Sequence, residues 1–282
     1  MDSIQPPVRH ISLIDSLAEE WLKLPFAVMR DVGPAAQTLG GLLKHTNKET
    51  FVTAKDIASK ARLPLSTVRK HLVTLDEHGW IENAGRERTR TGRARRTCTI
   101  KITQKTRDMM EPYACLPWWA CCNISKVGRL PWSSKAVLSV VMARLMSLKA
   151  AAIESSPDEN FTRPAKIADG ARRSLIREPQ LHTRPGATRK WLDERDEELV
   201  GAIDNLGGDE RFRFGLDELT RSTGLTRESV VSAKRWLKGR RLINWSGGDG
   251  HLGADCLAPN YEFHVVETTT KPGYCTLAFA HD

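Results

Sequence analysis

Between Gly85 and Thr97 the chain reads GRERTRTGRARRT, where Arg86, Arg88, Arg90, Arg93, Arg95 and Arg96 face the single Glu87. Guanidinium groups hold phosphate through paired hydrogen bonds, and they enter narrow minor grooves, where negative potential concentrates. Gly85 and Gly92 allow tight turns, and Thr97 to Ile102 alternates as a strand does, so the arginines are predicted on a hairpin tip. This is binding chemistry, and no bond-breaking set stands beside it. The six cysteines (Cys98, Cys115, Cys121, Cys122, Cys256 and Cys275) lack CxxC spacing and no HxxxH occurs, so reduced thiols are expected rather than metal ligands. Neither GxxxxGK[ST] nor GxSxG is present, and Tyr113, Tyr261 and Tyr274 lie far from any paired-histidine motif. Neither an enzyme nor a cofactor is expected.

The elements that must carry the arginines precede them. Thr53 is placed to cap a helix, with Asp56 in its first turn and Ile57, Ala58 and Ala61 on its buried face. After a turn at Arg62 to Leu65, a second helix begins at Ser66. Val68, Leu72 and Leu75 form its core stripe, opposite Ser66, Thr67, Arg69, Lys70 and Thr74. Gly79 is expected to end this helix, and Trp80-Ile81 to open a strand.

The pattern recurs from Phe212 to Trp245. Laid over the first unit, Leu225 falls on Leu63, Val230 on Val68, Leu237 on Leu75 and Ile243 on Ile81. Gly224 and Thr226 occupy the turn and cap positions. Lys234 falls on the core-facing Leu72, pointing inward, and Arg241 falls on Gly79. The open face would present Arg227, Glu228, Ser229, Ser232 and Arg235, and the following loop, Ser246 to Ala254, holds no arginine. Upstream, Leu24-Pro25-Phe26-Ala27 precedes a predicted helix near Pro34 to His45, and Leu116-Pro117-Trp118-Trp119-Ala120 precedes one from Trp132 to Leu148.

Two short helices, a tight turn and a strand–loop–strand resemble the winged helix-turn-helix family, on Leu63, Val68, Leu72, Leu75, Gly79, Trp80 and Ile81. Arg62 departs from the usual glycine, and Pro64 from the usual Ser or Thr cap. The resemblance implies that each second helix enters a major groove. Ser66, Thr67, Arg69, Lys70 and Thr74, then Arg227, Ser229, Ser232 and Arg235, become candidate DNA-binding residues, with the six wing arginines beside them. Two such domains, each opened by an LP-aromatic segment, resemble plasmid or phage replication initiators. That resemblance implies repeated origin sites on double-stranded DNA and a helicase or other replication proteins as partners. The alternative is a transcriptional regulator bound to an operator.

Composition agrees with a DNA partner. The 282 residues carry 43 Lys and Arg against 34 Asp and Glu, a net charge of +9. Residues 51 to 110 alone hold 14 basic and 6 acidic side chains; segregated positive charge suits a polyanion, since neutralised phosphates release counterions. A hydrophobic share of 40% and a charged share of 27% exclude a mostly disordered chain. No apolar run reaches membrane length and the first residues lack a signal-peptide core, so a cytoplasmic, nucleoid-associated protein is expected. The expected fold class is mainly α with small β-wings (α+β), two winged helix-turn-helix domains in tandem. The expected divisions are an arm at 1–20, domain one at 21–110, domain two at 113–270 with an insertion at about 149–210, and a tail at 271–282. The helix from Lys135 to Leu148, apolar nearly all round, is expected at the centre of a core or in a homodimer interface.

Overall fold

The structure, a computed structural model, describes residues 9–12, 21–45, 52–88, 94–124, 128–155, 211–246, 254–260, 264–271 and 274–279. Met1–Ala143 and Arg213–Asp282 form one compact unit and Arg144–Phe212 a second. In chain order the first unit begins with β1 (Arg9–Ser12), β2 (Trp21–Pro25), α1 (Phe26–Val32), α2 (Ala35–Leu43), α3 (Ala54–Ala61) and α4 (Leu65–Glu77). It continues with β3 (Ile81–Arg88), β4 (Ala94–Ile102), α5 (Gln104–Asp108), β5 (Tyr113–Pro117) and a 3-10 helix at Trp118–Cys121. Then come β6 (Asn123–Ile124), β7 (Gly128–Arg129) and the long α6 (Trp132–Ser155), whose later turns belong to the second unit. β8 (Arg213–Phe214), α7 (Leu216–Thr223), α8 (Arg227–Gly239), β9 (Ile243–Ser246), β10 (Asp255–Pro259), β11 (His264–Lys271) and β12 (Tyr274–Phe279) complete the chain. The protein is mostly helical with small sheets.

Local chemistry sets the helix limits. Thr53 Oγ1 accepts the Asp56 amide at 3.1 Å while Asp56 Oδ2 accepts the Thr53 amide at 3.0 Å, a reciprocal cap on α3. The Thr53 hydroxyl and amide hold the Asp56 carboxyl below its ordinary pKa. At the far end of α3, Arg62 stands in the left-handed region at φ 52°, the place usually given to glycine. Gly41 is the tight point between α2 and α3, since a Cβ there would lie 2.8 Å from that of Ala61. Within α6, Ala136, Val137, Leu138, Val140, Val141 and Met142 are all buried inside a single chain, so core burial accounts for its apolar faces.

Further along, α7, α8, β9 and β10 repeat the order of α3, α4, β3 and β4. The left-handed positions recur, with the residue types exchanged. Gly224 (φ 72°) matches Arg62, and Arg241 (φ 55°) matches Gly79 (φ 70°). A left-handed L-residue costs about 1–2 kcal/mol, against about 0.5–1 kcal/mol for the extra freedom glycine brings to the unfolded chain. Arg241 is exposed, and its backbone keeps its bonds to Lys238 and Asn260 whatever the side chain. Arg241→Gly should therefore raise stability by up to about 1 kcal/mol in a urea titration. Arg62→Gly should gain less, because the Arg62 guanidinium stacks over the Trp118 ring at 5.7 Å.

Several expectations differ from what is observed. The segment expected as an arm holds β1, and the segment expected as a tail holds β12; both belong to a sheet of order β1-β11-β12-β6-β7. The joint drawn between residues 110 and 113 is not a free tether. β2 pairs antiparallel with β5, and the Phe26 amide donates to the Pro112 carbonyl at 3.0 Å. Thr106, just ahead of that boundary, is buried and donates to the Trp80 carbonyl. α6 continues to Ser155, past the expected end at Leu148. Most of the expected insertion, 156–210, and most of the second loop, 247–253, lie outside the described residues.

Candidate nucleic-acid interface

α4 is fixed by its buried side. Val68, Leu72 and Leu75 are buried, as are Ile57 and Ala61 of α3 and Leu39 and Leu42 of α2. His71 is half-buried and its Nδ1 meets the Thr38 hydroxyl at 2.8 Å; burial pushes its pKa below the ordinary imidazole value. The helix C-terminus is tied down by Asp31 of α1, which accepts the Trp80 indole N–H at 2.7 Å and meets His78 Nδ1 at 3.1 Å. Lys105 of α5 sits 4.0 Å over the Trp80 ring and donates to the His78 carbonyl at 2.8 Å. Burial alone would raise the Asp31 carboxyl, but Trp80, His78 and Lys105 together hold it below its ordinary value.

With one side locked, α4 presents the other to solvent. Ser66, Arg69 and Lys70 are exposed; Thr67 and Thr74 are half-buried, and the Thr74 hydroxyl turns back to the Lys70 carbonyl at 3.4 Å. Val73 is 53% exposed on that same face. Its position off the core stripe, among polar neighbours, was the signal that periodicity alone passes over. A valine methyl can pack on the 5-methyl of thymine in a major groove. β3 and β4, which follow this helix in the chain, pair with Ile81 opposite Ile102 and Arg86 opposite Cys98. Arg86 and Arg88 belong to β3, Arg95 and Arg96 to β4, while Arg90 and Arg93 lie outside the described residues.

Residues 41–85 match the IclR helix-turn-helix domain, a DNA-binding unit. The matched span runs from the glycine packed against Ala61, through α3 and α4, into β3. This IclR-type similarity supports a winged helix-turn-helix DNA binder and double-stranded DNA as its partner. No curated protein matches the chain significantly.

Outside the IclR-type span, α8 is capped by Thr226, whose side chain accepts the Ser229 amide at 3.3 Å, and is anchored by Val230, Ala233 and Leu237. Arg227, Glu228, Ser232 and Arg235 are exposed and Ser229 is half-buried. Arg227 is engaged by Asp217 of α7 at 2.6 Å. Lys234 is buried, pairs with Asp255 of β10 and lies 5.0 Å over the Trp245 ring, so its charge is turned inward and away from this face. Lys238 bonds the Trp245 carbonyl at 3.1 Å.

Cys115, Cys121 and Cys122 are buried thiols outside any disulfide, and burial pushes Cys115 up to about 12 and Cys121 up to about 11. Among the described residues no group of His, Cys, Asp and Glu is arranged to hold a metal. No described helix is long and apolar enough to cross a membrane.

Proposed function

We propose that the protein is a transcriptional regulator that binds operator DNA sequence-specifically through two winged helix-turn-helix units in tandem, without catalysis of its own. The observation that carries this reading is the solvent face of α4, Ser66, Arg69, Lys70 and Val73, on a helix locked from behind and lying inside the IclR-type span. The regulator takes precedence over the replication initiator, for which no finding speaks beyond the likeness of two units in one chain. α4 reads base edges, the arginine-rich β3–β4 hairpin contacts backbone or minor groove, and α8 with Arg235 supplies a second, less basic face.

The test is a fluorescence titration of the full chain on duplex DNA across salt concentrations. About 6 phosphate contacts give a log–log slope near −5, and an absence of binding below about 100 mM salt would sink the reading. Footprinting around the gene that encodes the chain separates the two biological roles. A regulator protects an operator at a promoter, whereas an initiator protects an array of direct repeats.

Val73 supplies a sharper check. Val73→Ser should lower affinity for the preferred site by about 1 kcal/mol, and replacing thymine by uracil at one position should cost the wild-type chain a similar amount. The two changes together should cost little more than either alone. Additive losses would place Val73 away from any thymine methyl.

A further inference from the structure

We propose that a single chain reads an imperfect inverted repeat, its two recognition helices meeting two unlike half-sites around a pseudo-two-fold axis inside one molecule. This rests on the DNA-binding reading above and adds the form of the site.

The β2–β5 ladder carries the argument. When Leu24-Pro25 is laid over Leu116-Pro117, Lys23 falls on Cys115 and Trp21 on Tyr113. In the observed register Lys23 faces Cys115, Trp21 faces Pro117 and Pro25 faces Tyr113. Each residue therefore pairs with the counterpart of its own mirror position, the register of two identical strands meeting across a two-fold axis. Residues that are each other's counterparts touch only at such an axis. Trp21 and Tyr113 do so, stacked 4° from parallel with ring centroids 5.8 Å apart.

The packing beyond the ladder is reciprocal as well. The strand of each half leads into a short helix, α1 in one and Trp118–Cys121 in the other, and each half has a turn between its paired helices, at Arg62 and at Gly224. The Gly224 turn sits against α1 so closely that a Cβ would lie 2.6 Å from the Arg30 Cα. The Arg62 turn meets the other short helix, its guanidinium 5.7 Å from the Trp118 ring. Each turn docks on the opposite half, as an isologous interface requires.

Duplex DNA has dyads of its own, so helix-turn-helix units related by a two-fold axis read inverted half-sites. In a two-chain dimer the half-sites are alike. Here they cannot be, because Ser66 corresponds to Glu228, Lys70 to Ser232 and Val73 to Arg235. One half offers a second basic residue and a methyl surface where the other offers an acid, a hydroxyl and an arginine.

Selection of the full chain on a random duplex library, with sedimentation of the complex on the recovered site, tests this. The expected result is one consensus of two dissimilar, inverted half-sites bound by one chain. Arg69→Ala should relax the bases of one half and Arg235→Ala those of the other. Reversing one half-site in place should weaken binding about 100-fold, since the two halves then cannot engage together. Directly oriented half-sites, a single half-site or two chains on the minimal site would overturn the proposal and leave DNA binding intact. A chain that binds no duplex overturns both.

Discussion

Asp255→Ala is expected to lower stability by about 3 kcal/mol, a large share of what holds a domain folded. The reason is the neighbour it abandons. Lys234 is 3% exposed at its side chain, on the core side of α8, and Asp255 is the carboxylate that meets it. Removing Asp255 leaves a buried ammonium with only the Trp245 ring beneath it, and a buried unpaired charge costs about 3–5 kcal/mol. Asp255 is 22% exposed and can rehydrate, which places the expected loss at the low end and makes the pair asymmetric. Lys234→Leu, which restores the residue type found at Leu72, should cost under about 1 kcal/mol. Urea unfolding monitored by circular dichroism measures both, provided the slope with denaturant is unchanged. Equal losses from the two variants would mean that the ion pair, and not the buried amine, sets the energetics.

The second large effect is on binding. Replacing Arg93, Arg95 and Arg96 by alanine should weaken binding to every duplex and flatten the salt slope by up to about 3, one phosphate neutralised by each of the guanidiniums removed. Fold stability should stay within about 0.5 kcal/mol, because the proposed DNA-contacting role puts these arginines outside the core. Arg69→Ala or Lys70→Ala should do something different, shifting sequence preference by about 1–3 kcal/mol for each base edge no longer read. Competition between a preferred and a scrambled duplex separates the two. If the wing variant changed preference while the α4 variants did not, the roles of hairpin and helix would be exchanged.

What the sequence made legible was local. The Thr53–Asp56 cap, the Val68–Leu72–Leu75 stripe and the stop at Gly79 follow from side chains a few residues apart, and all stand in the structure. Lys234 facing inward was readable too, because an internal repeat supplies its own comparison at Leu72. The β2–β5 ladder was not. Its strands are far apart in the chain and both end in Pro, so each was read only as the lead-in to a helix, and nothing local announces that the two pair. The same holds for β1, four residues with no strong period, whose partner is β11. On the candidate site, the charged face of α4 was legible, whereas Val73 was not, since an exposed methyl group has no charge or period to announce it.

The pairing of β1 with β11 also bears on how the protein is made. Arg9–Ser12 leaves the ribosome early, yet its hydrogen-bonding partners lie at His264–Glu267. α3, α4, β3 and β4 can assemble while synthesis proceeds, because they are near one another in sequence, but β1 must wait with an open edge until His264–Glu267 has emerged. A nascent or prematurely terminated chain would thus carry a formed DNA-reading helix together with an unsatisfied strand, a species suited to capture by chaperones or to aggregation. Closure of the β1–β11 edge then comes after the reading helix has formed, and it reports that His264–Glu267 has been made.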